Sequence, residues 1–149
     1  SVEPGPNSDN VSINRYTGKL SAQRGITEQI QVQVIAEPVD GSISAIKTVT
    51  VYPRTTQVEI KEGGKSVISG TTVRAELSLK NLGFAAVANP SGAYNGTDAF
   101  KWTSSNTSVA EVDENTGVIT LKKAGATTIK AIAKDGTGKY AKFTLRVTN

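Results

Sequence analysis

The chain of 149 residues contains neither cysteine nor histidine. Their absence excludes disulfide bonds, thiolate zinc sites, cysteine nucleophiles and histidine-based catalytic triads. Large aromatic residues are scarce too, with three Phe and one Trp, so a hydrophobic core must be built mainly from small aliphatic side chains. Such a core suits two thin facing sheets better than a helical globule.

The sequence also lacks any run of about 18 apolar residues, so we expect no membrane insertion. There is no methionine, and the chain begins at Ser1, so we expect it to be part of a longer protein. Domains without cysteine are ordinary on the surface of many bacteria, but composition alone does not identify the compartment.

The net charge is +4, with an isoelectric point near 9.4. The basic residues are scattered at alternating strand positions, and Lys122-Lys123 is the densest pair. Nucleic-acid-binding proteins usually concentrate charge in one stripe with interleaved aromatic residues, so we expect no nucleic-acid partner. Weak attraction to anionic cell-wall polymers remains open.

Apolar and polar residues alternate in short runs separated by turn residues, which predicts an all-β fold. Part of the pattern occurs twice. Thr17-Gly18 recurs as Thr116-Gly117 and Ile30 recurs as Ile129, each 99 residues later. The ending Thr48–Val51 recurs as Thr144–Val147, 96 residues later. An offset near one hundred residues predicts a domain type repeated in a tandem array.

The repeat divides the chain into three segments. Residues 1–10 contain Pro, Gly, Asn and Ser and are expected to be a flexible N-terminal segment. Residues 11–53 correspond to the C-terminal half of a preceding module, and residues 54–149 to a complete one. Pro53 cannot donate a hydrogen bond to a β-ladder, which favours a short, stiff joint at this point.

The complete module contains an ordered series of motifs: Trp102-Thr-Ser-Ser-Asn-Thr-Ser-Val-Ala110, Thr116-Gly-Val-Ile-Thr120, Lys123-Ala-Gly-Ala-Thr-Thr-Ile129, Ala133-Lys-Asp-Gly-Thr-Gly138 and Phe143-Thr-Leu-Arg-Val147. The series resembles the bacterial immunoglobulin-like domain group 2 (BIG2) family over residues 54–149. The resemblance implies an immunoglobulin-like β-sandwich of about seven strands. It also implies use as a repeated module in bacterial surface proteins, in intimin- and invasin-like adhesins, and in some phage tail proteins.

The motif residues have structural interpretations. Trp102 is expected to be the inward anchor between the sheets, because it is the largest apolar side chain in a core short of aromatics. Phe100 and Phe143 are expected to join it in the core. Gly117 and Gly125 are each expected to allow a tight turn. The family motif carries no catalytic residue, so none is transferred.

The segment 11–53 resembles only the C-terminal half of the family and has no equivalent of Trp102. With the offset of 96, Lys47 falls where Phe143 stands in the later copy. Half a sandwich exposes an unpaired strand edge and an apolar face. We therefore expect this segment either to pack against another surface or to be an incomplete domain.

The stretch 81–98 is longer than the usual family connection at this point. It is interpreted as a loop or extra hairpin, with Phe84 tucked over the end of the sandwich. The alternative is a ligand-binding loop presenting Phe84, Tyr94, Asn95 and Asp98, because recognition in sandwich domains often uses end loops on a rigid scaffold.

The sequence offers few candidate residues for metal binding or catalysis. Asp113-Glu114-Asn115 could offer oxygen atoms to calcium, but a solvated turn is the favoured interpretation. Ser104 and Ser105 have no histidine base to activate them. We therefore expect no catalytic residue, no cofactor, no metal site and no enzymatic activity.

Three functions are compatible with the sequence. The favoured one is a non-catalytic spacer or stalk module of an extracellular bacterial cell-surface protein, with neighbouring immunoglobulin-like modules as partners. The second is direct binding of a host-surface protein or carbohydrate through the 81–98 loop or an open sheet edge. The third is a decoration or tail domain of a phage virion.

Overall fold

The chain forms two compact units, Ser1–Arg54 and Thr55–Asn149. The computed structural model describes residues 8–23 and 25–149. Most of the N-terminal segment expected at residues 1–10 lies outside the described residues, and Ser8–Asn10 form one turn of 3-10 helix. Each unit is described separately below.

The first unit consists of two antiparallel strand pairs. The strand β1 (Val11–Ile13) pairs with β2 (Leu20–Ala22), and β3 (Ile30–Ala36) pairs with β4 (Ala45–Val51). Val11 and Val32 are buried, but Val39, Ile43 and Ile46 are exposed. Burial in this unit is therefore limited to a few aliphatic side chains.

The second unit is all-β, and the structure describes every one of its residues. Its strands are β5 (Gln57–Glu62), β6 (Lys65–Val67), β7 (Thr72–Glu76), β8 (Asn81–Gly83), β9 (Ala85–Asn89), β10 (Phe100–Ser104), β11 (Ala110–Val112), β12 (Val118–Leu121), β13 (Gly125–Ala133) and β14 (Tyr140–Thr148). One layer is a four-stranded sheet in the order β10-β13-β14-β7. In this sheet β7 runs parallel to β14, and the other neighbours are antiparallel.

The opposite layer consists of two three-stranded sheets, β6-β5-β9 and β11-β12-β8. The strands β8 and β9 are consecutive and are separated only by Phe84. The first pairs with β12 and the second with β5, so one extended segment connects both sheets. The strand β5 packs against β13 and β14, and β11 packs against β10, which closes a β-sandwich.

The core between the layers is largely aliphatic, as the composition predicts. Phe143, Ile60, Ile119, Ile129 and Leu145 are its largest fully buried side chains. Phe84 is buried and packs against Phe143 with ring centroids 4.7 Å apart. Each such side chain contributes about 1.5–3 kcal/mol to the free energy of unfolding when fully buried.

Trp102 is 4% exposed and lies against the turn that joins β11 to β12. Its backbone N–H donates to the carbonyl of Glu114, 2.8 Å away. Gly117 in this turn has φ +74°, and a Cβ atom there would lie 2.6 Å from Trp102 Cε2. Gly117 therefore satisfies two requirements at once, a left-handed backbone and close approach of the indole ring. Gly125, where a second tight turn was expected, begins β13 directly after a bend at residues 123–124, and a Cβ atom there would lie 2.7 Å from Val109 Cγ2.

The seven strands expected in this module each have a counterpart, and the structure adds the short strands β6, β8 and β9. Apolar and polar residues alternate from Val73 to Leu79, but the strand β7 ends at Glu76, because Leu77–Leu79 form a turn of 3-10 helix. Within the stretch 81–98, expected to be a loop or an extra hairpin, residues 81–83 and 85–89 are strands that pair with β12 and β5 and not with each other. Its Ala-Ala-Val-Ala sequence has weak β-propensity and no clear alternation, so pairing with β5 and β12 decides its conformation.

The turn between β1 and β2 repeats the turn between β11 and β12 in atomic detail. Asn14 Oδ1 accepts hydrogen bonds from the N–H groups of Tyr16 and Thr17, each at 3.0 Å. Asp113 Oδ1 accepts the corresponding bonds from Asn115 and Thr116, at 3.0 and 2.8 Å. The offset of 99 residues therefore corresponds to equivalent backbone and side-chain geometry in the two hairpins.

The expected equivalence of Lys47 and Phe143 is wrong. Ile30 pairs with Val51, whereas Ile129, which follows Ile30 by 99 residues, pairs with Phe143. Val51, not Lys47, therefore occupies the position of Phe143 in the first unit. The offset of 96 aligned similar residues at the ends of β4 and β14, but the β3–β4 hairpin is longer than the β13–β14 hairpin. Similarity between strand ends therefore does not identify which residues pair.

We expect Gly117→Ala to destabilise the second unit far more than Gly136→Ala. Both glycines have positive φ, but a Cβ atom at Gly136 would meet nothing within 4 Å. Backbone strain alone should cost about 1 kcal/mol at Gly136, and displacement of the indole ring should raise the cost at Gly117 to about 3 kcal/mol or more. Urea unfolding followed by Trp102 fluorescence measures both, and equal losses would contradict the packing role of Gly117.

Candidate functional site

The candidate site is the end of the second unit formed by the β9–β10 connection and the β11–β12 turn. An open depression of about 250 Å³ lies here, lined by Phe84, Ala85, Ala86, Gly96, Thr97, Phe100, Trp102, Asn115 and Thr116. The floor is apolar because Phe84, Phe100 and Trp102 approach the surface from the core. The rim is polar and consists of threonine and asparagine side chains.

Asn95 holds the β9–β10 connection against the body of the sandwich. Its Oδ1 accepts a hydrogen bond from the N–H of Ala88 at 2.6 Å, and its Nδ2 donates to the carbonyls of Ala88 and Ala93, each at 3.1 Å. The side-chain amide thus satisfies three backbone groups that no strand partner reaches. The Asn95 side chain therefore points toward the backbone of its own unit and not toward solvent.

Tyr94 and Asp98 lie together at the surface of the same connection. The Tyr94 hydroxyl donates to Asp98 Oδ1 at 2.5 Å, and this hydrogen bond is the main cause of the lowered pKa of the Asp98 carboxyl. Gly96 lies beneath the phenol ring, where any Cβ atom would collide with it. Tyr94 is 39% exposed, so it could contact a ligand. The connection is a packed structure held by its own side chains.

The structure separates the four residues that were expected to form a ligand-binding loop. Phe84 is buried against Phe143, and Asn95 bonds to the backbone. Tyr94 and Asp98 are brought together at the surface. Ligand binding by this surface stays a prediction. Thr97 and Asn115 line the depression, and Tyr94 is partly exposed beside Gly96. Phe100, Trp102 and Phe143, expected in the core, are all buried.

The Trp-Thr-Ser-Ser-Asn motif has a structural explanation centred on Thr127, which is 3% exposed. Thr127 Oγ1 accepts the N–H of Asn106 at 2.9 Å and lies 2.9 Å from Ser104 Oγ. Ser104 Oγ donates to the carbonyl of Ala110, and Ser105 Oγ accepts the N–H of Thr128. Both serines are occupied in joining β10 to β11 and β13, so neither is arranged as a nucleophile.

Sequence reasoning missed Thr127, although a usable signal was present. Alternation along β13 places Thr127 on the same face as Ile129, Ala131 and Ala133, all of them buried. A polar residue on a buried strand face requires a hydrogen-bonding partner. The serines of the preceding motif were the available partners.

The acidic residues considered as calcium ligands are used within turns. Asp113 Oδ1 also accepts from Thr116 Oγ1 at 2.8 Å, and the hydrogen bonds from Thr116 lower the pKa of its carboxyl. Among the described residues, no group of three or more acidic, His or Cys side chains could hold a metal ion. In the same part of the chain, no helix is long and apolar enough to cross a membrane.

Asp135 links the β13–β14 turn to the start of the unit. Its Oδ2 accepts the N–H of Thr55 at 2.8 Å, and its Oδ1 accepts the N–H and hydroxyl of Thr137. Partial burial opposes ionisation of this carboxyl, but the hydrogen bonds from Thr137 and Thr55 outweigh it and lower the pKa of Asp135 to about 2. The ionised form therefore stabilises the turn.

Two facing layers, a buried tryptophan and short connections at the sandwich ends define an immunoglobulin-like β-sandwich domain. The chain belongs to the bacterial Ig-like domain (group 2) family, whose model matches residues 45–143. The match begins within β4 of the first unit and ends at Phe143. The family expected from the motifs is thereby confirmed.

Two curated relatives are similar to this chain. Intimin of Escherichia coli O127:H6 (strain E2348/69 / EPEC) is 32% identical over 94 residues, which are 63% of this chain and 10% of intimin. Intimin of Citrobacter freundii is 38% identical over 74 residues, 50% of this chain and 8% of that protein. The matched part of this chain thus spans about a tenth of the length of either relative.

Solved structures provide two further comparisons. The C-terminal 282-residue fragment of intimin, in complex with the translocated intimin receptor (Tir) intimin-binding domain, has a TM-score of 0.39 and 22% identity, and the match covers 83% of this chain and 41% of the fragment. Domains 1–6 of the surface layer protein SbsC give a TM-score of 0.44 with 19% identity, and the match covers 96% of this chain and 19% of that one.

Replacing Asn95 by Ala should destabilise the second unit by about 2 kcal/mol, because the backbone groups of Ala88 and Ala93 would lose their partner. Asn115→Ala is the matched control, since the Asn115 side chain is exposed and its Oδ1 accepts only a 3.4 Å bond from Lys134. Hydrogen exchange at the amide of Ala88 reports the change directly. Unchanged protection of that amide in Asn95→Ala would contradict the assignment.

Replacing Asp135 by Asn should remove stability at neutral pH but not in strong acid. The folded-state pKa of Asp135 is about 2, below the ordinary 3.8, so its contribution is present above pH 4 and is lost as the pH falls towards 2. We expect about 1 kcal/mol at pH 7, since solvent screens this exposed carboxylate. Thermal unfolding midpoints of the two proteins should converge between pH 4 and pH 2, and a constant gap would show that ionisation is not involved.

Proposed function

We propose that residues 54–149 are a complete non-catalytic module of a bacterial cell-surface adhesin, and that this module acts mainly as a spacer. The observation that carries the proposal is the internal use of polar side chains. Ser104, Ser105, Asn95, Asp113 and Asp135 all bond to the backbone of their own unit. A module whose polar groups rigidify its turns is suited to holding its neighbours apart.

The relatives support the cell-surface part of the proposal. Both curated relatives are intimins, and a fragment of intimin has been solved in complex with the intimin-binding domain of its receptor Tir. We infer that the protein to which this module belongs is extracellular and contacts a host-surface protein or carbohydrate. None of the relatives described above supports the alternative of a phage virion domain.

We also propose that residues 11–53 are the C-terminal half of a preceding module. The shared geometry of the turns at Asn14 and Asp113 supports this assignment. The second unit has Trp102 over Gly117, whereas a Cβ atom at Gly18 would meet nothing within 4 Å. The neighbouring immunoglobulin-like modules of the same chain would then be the immediate partners of each unit.

Direct binding through the candidate site is the second candidate function. It is favoured by the partly exposed Tyr94, whose ring lies against Gly96, one of the residues that line a depression with an apolar floor. Aromatic side chains with a polar tip are frequent at recognition surfaces. A host-surface protein or carbohydrate is the ligand class to which this candidate applies.

Point variants separate the two functions better than a deletion. Removal of residues 84–95 would take away Phe84 and all of β9, so loss of binding would only report loss of folding. In the parent protein displayed on bacteria, the spacer function predicts that Tyr94→Ala leaves adhesion to cultured host cells unchanged, as should Tyr16→Ala, the control at an exposed tyrosine. Circular dichroism checks folding. Loss of adhesion in Tyr94→Ala alone, with folding intact, would establish the binding function instead.

An exchange experiment tests the spacer itself. Replacing residues 55–149 by an unrelated immunoglobulin-like domain of equal length should preserve adhesion, because only the length and stiffness of the module matter to a spacer. Deleting the same residues without replacement should weaken adhesion at a crowded cell surface. Loss of adhesion after the equal-length exchange would contradict the proposal.

A further inference from the structure

The outer surface of the four-stranded sheet concentrates positive charge that is dispersed in the sequence. Residues 55–149 contain twelve basic and eight acidic side chains and carry the whole net charge of +4. Alternation along β7, β13 and β14 places Arg74, Lys130, Lys142 and Arg146 on the solvent side of the sheet, opposite the buried face. These four residues are called the basic face below.

The register of the sheet groups the basic face into two like-charged pairs. Lys130 lies directly opposite Lys142, and Arg146 lies directly opposite Arg74. Neighbouring strands are about 4.8 Å apart, and the four residue steps from Lys142 to Arg146 span about 13 Å along β14. Between the two pairs lies a row of three threonines, Thr128, Thr144 and Thr72, in consecutive register.

Like charges directly opposite each other on a sheet are destabilising, so these pairs oppose folding unless an anion approaches them. The ion pairs within the described residues involve Lys61, Lys101 and Lys122, and none involves the basic face. Lys130 lies over the ring of Tyr140 at 4.0 Å, a cation–π contact that supplies no negative charge to offset that of the lysine. Glu76, at the end of β7, lies on this side of the sheet and accepts a hydrogen bond from Ser78. Lys101, on the same side of β10, pairs with Glu114.

We propose that the basic face binds a linear sulfated polysaccharide. Guanidinium groups bind the oxygens of planar or tetrahedral anions bidentately, and the threonine row can bond to sugar hydroxyls between two anionic groups. Tyr140 is the exposed aromatic ring of this surface and is already covered by Lys130, so stacking of nucleobases is not favoured. The flat surface and modest charge suit weak binding at each site, which becomes stronger when one polymer contacts several sites at once.

The binding experiment compares dextran sulfate with uncharged dextran, using the full chain at low ionic strength. We expect binding to dextran sulfate, none to dextran, and weakening as salt is added. The variant Arg74→Gln/Arg146→Gln should bind about tenfold more weakly. Lys65→Gln/Lys123→Gln is the matched control, because it removes two charges from other parts of the unit, and it should change binding less than twofold.

Several results would overturn the proposal. Equal weakening in the two double variants would assign binding to net charge alone. Tighter binding of a single-stranded oligonucleotide or of polyphosphate than of dextran sulfate would assign the surface to a different polyanion. Binding of dextran as strong as that of dextran sulfate would exclude an anion site.

A second measurement uses the protein without polymer. Arg146→Gln removes one charge of the like-charged pair formed with Arg74. The thermal unfolding midpoint of this variant at low ionic strength should therefore exceed that of the parent chain, and the difference should shrink at about 1 M salt. Lys123→Gln should show no comparable gain. A lower midpoint for Arg146→Gln at low salt would show that the basic face is stabilising in itself and would remove the argument for an anionic partner.

Discussion

The packing of Trp102 against Gly117 is the contact on which the rest of the second unit depends. The indole ring spans the thin space between the two layers and ends at the β11–β12 turn. The ring can reach this turn only because Gly117 has no side chain. Trp102 is the one tryptophan of the chain and its largest apolar side chain. Phe84 and Phe143 complete the core beside it.

The polar groups follow from the same constraint. A sandwich with a small aliphatic core depends on its connections, and each connection here is held by a side chain that bonds to the backbone. Asn95, Asp113, Thr127 and Asp135 perform this role in four different places. Groups engaged in this way are not free for chemistry, which favours a structural module whose interactions with other molecules use its outer surfaces.

Much of the fold could be predicted from residue patterns. Alternation along β13 and β14 indicated both strands and their buried faces, and the motif Ala133–Gly138 lies at the turn between them. The motifs from Trp102 to Val147 identified the family. Prediction failed along residues 81–89, where small residues show no period and pairing on both sides decides the conformation. It failed also at Lys47, since similarity of letters does not report which residues are opposite each other.

The candidate site was only partly visible in the sequence. Tyr94, Asn95 and Asp98 looked equivalent as members of one polar loop, but Asn95 is directed inward and the other two bond to each other. The four residues of the basic face looked scattered because they lie on three strands, of which β7 is distant in the chain from the consecutive β13 and β14. Local patterning established the strands, the turns and the family, because these depend on neighbours a few residues away. Register and pairing between distant strands decided which side chains meet, and no local signal in the chain specifies that.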